Sequence, residues 1–157
     1  MTAKNDNPLA LDNQVCFALY AANRAMTTLY RPLLEELGLT YPQYLVMLVL
    51  WEADRPGYED TSTELISVSW LGRRLRLDSG TLTPLLKRLE ARGLICRSRH
   101  TDDERVVTLT LTGEGRELRD RALDIPGNLL CRSGLGLEDA RTLRQSLQRL
   151  LDQLPEK

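Results

Sequence analysis

Residues 77–112 read LDSGTLTPLLKRLEARGLICRSRHTDDERVVTLTLT, and this stretch decides the fold. Its first half spaces leucines by three and four residues, which predicts a helix with one apolar face: Leu82, Leu85, Leu86 and Leu89. Gly93 ends this helix, because glycine tolerates the left-handed conformation. Two β-prone runs, residues 94–96 and 106–110, then flank a polar tip at Arg97–Arg105. A helix followed by a charged hairpin indicates a helix-turn-helix with a wing.

The preceding segment supplies the supporting helix of this motif. Residues 68–75 place Val68, Leu71 and Leu75 on one side, and residues 77–79 are short enough to form the turn. The first turn of the second helix would enter the major groove of DNA, where we expect contacts from Ser79, Thr81, Thr83 and Lys87. The start of that helix stays open, because Pro84 alone favours a start at Thr83 rather than near Ser79.

Charge favours nucleic acid only locally. The net charge is −1, but residues 70–105 carry nine basic and five acidic side chains, whereas residues 1–69 carry four and nine. A solvated, charge-mixed surface helix is the competing interpretation, and the concentration of basic residues on a helix and a hairpin weakens it. Phosphate contacts, which position a protein without specifying sequence, are predicted for Arg88, Arg97 and Arg99.

Length and composition predict one mainly α domain, residues 1–157, that buries its own core. The longest apolar run, Leu45–Trp51, is too short to span a bilayer, so we expect a cytoplasmic protein without a membrane partner. Three widely separated cysteines indicate reduced thiols. No cofactor or metal is predicted, since a zinc site would have to combine residues whose spacings match no usual ligand pattern: Cys16, Cys96, His100 and Cys131.

Helices are predicted on both sides of the winged region, which spans about residues 40–112. The first, within about residues 8–38, can open at Asn7-Pro8 or at Asp12. Residues 40–43 form a capping-box pattern before a buried run at residues 44–51. Residues 54–63 indicate an exposed loop. Residues 113–155 predict two further helices, Gly113–Leu130 and Glu138–Leu154.

The last predicted helix carries a stripe of Leu143, Leu147, Leu150 and Leu154, at the spacing of a helix–helix seam. Such a stripe is more often plain core. Its position near the end of the chain and the two-fold symmetry usual for DNA readers favour a homodimer built from the N- and C-terminal helices. A two-fold dimer implies double-stranded DNA with an inverted-repeat operator, its half-sites about 34 Å apart.

Three motifs give the sequence its family resemblance. The order of the helices and the wing sequence from Asp103 to Thr112 resemble the MarR-type (multiple antibiotic resistance regulator) transcription factors. Residues 11–20, 39–44 and 77–88 are similar to the organic hydroperoxide resistance regulators within that family. The resemblance runs from about Leu11 to the C-terminus. It implies a homodimeric repressor, not an enzyme, that senses organic hydroperoxides through a reactive cysteine at the position of Cys16.

The residues around Cys16 leave its chemistry open. A peroxide-sensing thiol must be ionised and accessible. The neighbours Val15, Phe17, Ala18 and Leu19 are apolar and oppose ionisation. A helix that opens at Asp12 would favour the thiolate through its dipole, whereas one that opens at Asn7 would not. Tyr20 lies four residues on, on the same helical face. Without the resemblance, Cys16 is more simply a small buried hydrophobe.

The resemblance also implies roles for residues elsewhere. Tyr30 and Tyr41 match tyrosines that hydrogen-bond the reactive thiol from the opposite subunit. Cys131 matches the resolving cysteine of the two-cysteine members, which forms an intersubunit disulfide and releases the operator. In the wing, Arg105 matches an arginine that enters the minor groove. Asp103 matches its bracing residue, although a simple turn-forming role is equally compatible with the sequence.

Two features of the sequence and two alternative functions remain. Residues 57–63 look like an addition to the family pattern, and Cys96 is expected to pack structurally at the start of a wing strand. A MarR-type regulator controlled by a bound small ligand is the nearest alternative function. A thiol peroxidase is the second, and it would have no need for a basic helix and wing.

Overall fold

The computed structural model describes residues 7–56 and 66–155. These residues form mainly helices and one two-stranded antiparallel sheet, as the sequence predicts. A 3-10 turn at Leu11–Asn13 precedes the first helix. In chain order the elements are α1 (Val15–Glu35), α2 (Tyr41–Ala53), α3 (Val68–Leu75), α4 (Ser79–Ala91), β1 (Ile95–Arg99), β2 (Val107–Leu111), α5 (Gly113–Ala122), α6 (Ile125–Ser133) and α7 (Leu137–Gln153).

The chain divides into two compact units. The winged unit is Arg31–Leu123, and the terminal unit combines Met1–Tyr30 with Asp124–Lys157. Among the described residues, all buried hydrophobic side chains except Ile125 and Leu129 belong to the winged unit. The winged unit therefore holds the main hydrophobic core, and it contains the whole region predicted as a winged helix-turn-helix.

Helix α2 is the centre of the winged unit. Its capping box is confirmed: the backbone N–H of Thr40 donates to Oε1 of Gln43 at 3.0 Å, and the Thr40 side chain accepts from the Gln43 backbone. Trp51 donates its indole N–H to the carbonyl oxygen of Gly115 at 2.7 Å. The predicted burial of the whole run 44–51 is wrong at Leu48, which is exposed, because the core covers only part of the circumference of α2.

The helix-turn-helix consists of α3 and α4. Helix α3 ends at Leu75, the next residue, Arg76, is left-handed, and the N–H of Leu77 donates to the carbonyl oxygen of Gly72 at 2.9 Å. Helix α4 begins at Ser79, which settles the boundary that the sequence left open. Pro84 lies inside α4, because the Asp78 side chain caps the helix six residues earlier by accepting from the N–H of Thr81.

The wing is the antiparallel hairpin of β1 and β2, with Ile95 opposite Leu111 and Arg99 opposite Val107. Its first strand is longer than predicted, so Arg97 and Arg99 lie in β1 rather than in the tip, and β2 has the predicted length one residue later. Residues 66–67 add a short bridge to β2, through the N–H of Leu109 donating to the carbonyl of Ile66 at 2.8 Å. This bridge has no pattern of its own in the sequence.

The helices after the wing differ from the prediction in one respect. A single helix over residues 113–130 is wrong: α5 ends at Ala122 and α6 begins at Ile125. Pro126 explains the break, because proline restricts the residue before it and has no N–H, and it therefore fits the first turn of a new helix. Helix α7 agrees with the prediction to within one residue at each end.

Two remaining predictions concern the start of α1 and the loop after α2. Helix α1 begins at Val15, after the 3-10 turn, so neither Asn7-Pro8 nor Asp12 is its first residue. In the predicted loop 54–63, residues 54–56 are exposed. Residues 57–63, the predicted addition to the family pattern, lie outside the described part of the chain.

Candidate functional site

The start of α4 presents the residues predicted to read bases. Ser79, Thr81 and Lys87 are exposed, and Thr83 is half-buried. The leucines between them, Leu82, Leu85, Leu86 and Leu89, are buried, as their spacing predicts. One face of α4 therefore packs on the core while the other presents hydroxyl and ammonium groups, which suit base edges and phosphates.

Asp78 is a site residue that the sequence-based prediction missed. One carboxylate oxygen accepts from the backbone N–H of Thr81 at 2.8 Å, and the other accepts from the Thr81 hydroxyl at 3.0 Å. The two hydrogen bonds, the backbone one first, hold the pKa of Asp78 below its usual range. Asp78 thus fixes both the first turn of α4 and the rotamer of Thr81. An aspartate just before a helix is the signal that could have identified it.

The wing tip is ordered by Asp103. Its Oδ1 accepts from the backbone N–H of Arg105 at 3.0 Å, and its carbonyl oxygen accepts from the N–H of Val106 at 2.9 Å. This is the turn-forming geometry that the sequence allowed for Asp103. Arg105 itself is exposed at the tip. Asp103 therefore fixes the backbone that carries the Arg105 side chain.

The other predicted phosphate contacts lie in different environments. Arg88 and Arg99 are exposed. Arg97 is half-buried, and its guanidinium bonds to Glu90 of α4, with N–O distances of 2.6 and 2.8 Å. Glu90 is a second residue that the sequence-based prediction missed, because nothing in the sequence says that residues 90 and 97 face each other.

All three cysteines are free and exposed in the single chain. Cys16 is the second residue of α1, where backbone N–H groups have no partner within the helix and an anion is favoured. The description of Cys16 as a small buried hydrophobe is therefore wrong. Cys131 lies near the end of α6. The packing role predicted for Cys96 is also wrong, because strand alternation turns its side chain away from the core that Ile95 enters.

The three tyrosines named as thiol-supporting residues differ in exposure. Tyr20 is exposed, accepts a hydrogen bond on its hydroxyl from Arg24 at 2.9 Å, and has the Arg24 guanidinium 5.6 Å from its ring centre. Tyr30 and Tyr41 are half-buried. Burial raises the pKa of Tyr41, so its hydroxyl stays protonated and able to donate a hydrogen bond.

The terminal unit exposes an unusual amount of apolar surface. None of the residues of α7, all of which the structure describes, is buried. In the predicted stripe, Leu143 is 50% exposed, Leu150 37% and Leu154 49%, and Leu147 is half-buried. At the start of the chain, large side chains are also exposed: Leu9, Leu11, Val15, Phe17 and Tyr20. A stripe of exposed leucines along one helix face is typical of an interaction site.

Two further observations concern metals and membranes. Among residues 7–56 and 66–155, no three His, Cys, Asp or Glu side chains are grouped so that they could hold a metal ion. Within the same ranges, no helix is long and apolar enough to cross a bilayer.

A capped reading helix beside a hairpin with an arginine at its tip defines a winged helix-turn-helix protein. A family model for the transcriptional regulator SarA/Rot matches residues 28–122. The organic hydroperoxide resistance transcriptional regulator of Bacillus subtilis (strain 168) is 47% identical over 149 residues, covering 95% of both chains. The regulator TtmR of Methylorubrum extorquens (strain PA1) is also 47% identical, over 95% of this chain and 71% of its own.

Solved structures of similar proteins indicate the same family. Reduced AbfR bound to DNA is 33% identical, covers 90% of this chain and 92% of its own, and superposes with a TM-score of 0.69. AbfR, from Staphylococcus epidermidis, has also been solved in a disulfide form and in an overoxidised form bound to DNA. The chain therefore belongs to the MarR-type family of transcriptional regulators and, within it, resembles the organic hydroperoxide resistance regulators. These relatives are regulators rather than enzymes, as predicted.

Proposed function

We propose that the protein is a homodimeric repressor that binds an inverted-repeat operator and senses organic hydroperoxides through Cys16. Oxidation ends in an intersubunit disulfide between Cys16 and Cys131, and the operator is released. The observation that carries the proposal is the position of Cys16: an exposed thiol at the second residue of a helix, in a chain with a winged helix-turn-helix.

The DNA contacts follow from the exposed face of the winged unit. Ser79, Thr81, Thr83 and Lys87 of α4 read the major groove, and Arg105 enters the minor groove with its backbone held by Asp103. Arg88 and Arg99 contact phosphates, and Arg97 would do so only by leaving or sharing Glu90. Reduced AbfR bound to DNA supports DNA as the partner.

The homodimer follows from the exposed apolar faces of the terminal unit. Leaving Leu143, Leu150 and Leu154 in water forgoes the burial energy of large aliphatic side chains, about 1.5–3 kcal/mol for each when fully buried. A second copy of the chain presents the same stripe, and a two-fold axis brings two such stripes together. The dimer would then hold two reading helices about 34 Å apart.

The sensing step needs an anionic sulfur that a hydroperoxide can reach. The helix start favours negative charge at Cys16, and the hydroxyls of Tyr30 and Tyr41 of the partner subunit are expected to donate hydrogen bonds to that charge. Tyr20 is exposed beside Arg24 and lies one turn after Cys16 on the same helix. It completes the group of residues that we expect to support the thiolate.

The chemistry proceeds in two steps. The Cys16 thiolate attacks the terminal oxygen of the hydroperoxide, the O–O bond breaks, and after proton uptake a sulfenic acid and an alcohol are formed. The Cys131 thiol then attacks the sulfenic sulfur, a disulfide forms and water leaves. Two electrons from cellular thiols reduce the disulfide and restore DNA binding. No cofactor takes part.

The disulfide, rather than oxidation of one sulfur alone, is the form that we propose releases DNA. A disulfide draws two helices together, whereas oxygen atoms added to Cys16 change charge and volume at one point. Overoxidised AbfR is bound to DNA and AbfR also exists in a disulfide form, which supports this distinction.

The test is a gel shift on an operator duplex before and after addition of cumene hydroperoxide, followed by non-reducing electrophoresis. We expect the parent protein to lose at least about tenfold in affinity and to run as a covalent dimer. Cys16→Ser should stay bound to DNA and should run as a monomer in the non-reducing gel. Cys131→Ser should stay bound, although its Cys16 is oxidised. Cys96→Ser is the matched control, since Cys96 is equally exposed, and it should respond like the parent.

Two outcomes would contradict the proposal. Release of Cys16→Ser by the hydroperoxide would exclude thiol sensing. A parent protein that leaves DNA but runs only as monomer in the non-reducing gel would exclude the intersubunit disulfide.

A further inference from the structure

A three-bond clamp joins the reading helix to the wing. Oε1 of Glu90 accepts from the backbone N–H of Arg97 at 3.1 Å. Oε2 accepts from Nε and Nη2 of Arg97 at 2.8 and 2.6 Å. Glu90 is the penultimate residue of α4, and Arg97 is the central residue of β1. One carboxylate therefore holds both the backbone and the side chain of a wing strand.

The clamp is only partly shielded from solvent. The side chain of Arg97 is 28% exposed and that of Glu90 35%. Hydrogen bonds from the Arg97 guanidinium, and then from its backbone N–H, hold the pKa of Glu90 below its usual range, so the carboxylate is charged at neutral pH. Charge-assisted bonds with a planar guanidinium fix orientation as well as distance.

The clamp is one of the contacts that hold the hairpin in place, beside the Ser67–Thr108 bridge to β2. Arg97 lies opposite Leu109 in the register of β1 and β2, so a shift of Arg97 moves both strands. The turn before the hairpin includes Gly93, which adopts a left-handed conformation and gives little stiffness of its own. The Glu90 backbone carbonyl already closes that turn by accepting from the N–H of Gly93 at 2.8 Å. Glu90 thus anchors both the turn and the strand that follows.

We infer that Glu90 is a positioning residue for DNA binding: by clamping Arg97 it sets the separation of reading helix and wing that lets both grooves be contacted at once. Arg97 acts through this clamp rather than on a phosphate. The inference rests on the proposed minor-groove contact of Arg105, because that contact is what the clamp would position.

The inference predicts that loss of the Glu90 charge weakens DNA binding, whereas simple electrostatics predicts that it strengthens DNA binding. Removing a carboxylate near a DNA-binding face should strengthen binding, because DNA is an anion. If Glu90 positions the wing, Glu90→Gln should weaken binding by about three- to tenfold, since contacting groups couple by about that factor. Glu104→Gln is the matched control: it makes the same substitution at an exposed position of the hairpin tip, away from the clamp, and it should bind as tightly as the parent or more tightly.

The experiment measures fluorescence anisotropy on a duplex that the reduced parent protein selects from a random-sequence pool. The variants are Glu90→Gln, Glu104→Gln, Arg105→Ala and the double variant Glu90→Gln/Arg105→Ala, with thermal melting to establish that each is folded at the temperature used. We expect Arg105→Ala to weaken binding. Adding Glu90→Gln to Arg105→Ala should cause little further loss, because the wing contact is already gone.

Arg97→Gln adds a readout from salt dependence. A residue that neutralises one phosphate contributes about 0.9 to the slope of log affinity against log salt. We expect Arg97→Gln to lower affinity with the slope unchanged. Because the proposed homodimer carries two copies of Arg97, a slope reduced by about 1.8 would make Arg97 a phosphate contact and overturn the inference.

The remaining outcomes show whether the role of the clamp or the minor-groove contact of Arg105 is wrong. Glu90→Gln that binds like Glu104→Gln, or that weakens binding equally with and without Arg105, overturns the clamp while the minor-groove contact stands. Arg105→Ala that binds like the parent overturns the minor-groove contact itself, and the inference with it.

Discussion

The winged unit and the terminal unit differ in how much of their apolar surface is exposed to water. In the winged unit, α2 and α4 bury most of their apolar side chains, and the indole of Trp51 donates to a backbone carbonyl inside the core. In the terminal unit, α7 buries none of its residues, and leucines lie 37–50% exposed along one stripe. The winged unit therefore buries its own core, whereas the terminal unit leaves apolar side chains uncovered, which a second chain would bury in the homodimer that we propose.

The largest expected effect tests the claim that the winged unit is closely packed. A Cβ on Gly115 would lie 2.1 Å from the carbonyl oxygen of Leu94, a backbone atom that cannot rotate away. We expect Gly115→Ala to lower the free energy of unfolding by about 3 kcal/mol. Urea denaturation at a fixed protein concentration measures it.

Gly113→Ala is the control, because a Cβ at Gly113 has no atom within 4 Å and lies in the same helix. It should change the free energy of unfolding by less than about 0.5 kcal/mol. Equal stability of the two variants would mean that α5 is not packed against the Leu94 backbone as described.

The second prediction concerns the half-core of the terminal unit. Leu150→Glu places a charge in the exposed stripe of α7, and we expect the dissociation constant of the dimer to rise about 100-fold. Analytical ultracentrifugation measures it. Gln145→Glu adds the same charge on the opposite face of α7, as helical geometry requires, and should leave the dimer intact. A Leu150→Glu protein that dimerises like the parent would place the dimer contact elsewhere.

The smallest effect is at the N-terminus of the reading helix. Asp78→Ala removes the cap of α4 and should lower the melting temperature by about 2–4 °C at pH 7. Asp78→Asn keeps a capping oxygen and should melt near the parent. The pKa of Asp78 is lower in the folded chain than in the unfolded chain, so its stabilisation is present above the unfolded value and is lost as the pH falls below about 4.

Thermal melts of the parent and of Asp78→Ala between pH 7 and pH 3 check the sign of this dependence. The gap between their melting temperatures should narrow as the pH falls. A gap that widened with acid would show that Asp78 is not an ionised cap.

Local patterns predicted much of the winged unit. The leucine spacing of α4, the capping box at Thr40 and the hairpin after Gly93 are properties of short stretches, and the structure has each of them. The position of Pro84 inside α4 shows where propensity fails, because a cap at Asp78 outweighs the preference of one proline for a helix start. The break before α6 was missed, although Pro126 was the signal for it.

In the candidate site, too, some residues could be predicted from local patterns and others could not. Ser79, Thr81 and Lys87 could be placed on the exposed face of α4 from periodicity alone. Glu90 and Arg97 could not be paired, because their contact depends on how the hairpin folds back along the end of the helix. Cys96 was expected to pack, and the apolar neighbours of Cys16 left its exposure open, because exposure depends on which face the tertiary structure covers.

By itself the sequence determined the class of fold and the family, because helix periodicity, caps and turns act within a few residues and motifs can be compared residue by residue. Only the tertiary structure decided which polar groups meet and which apolar faces stay uncovered, since both depend on contacts between residues far apart in the chain. The Glu90–Arg97 clamp, the indole bond of Trp51 to Gly115 and the exposed stripe of α7 are of this second kind.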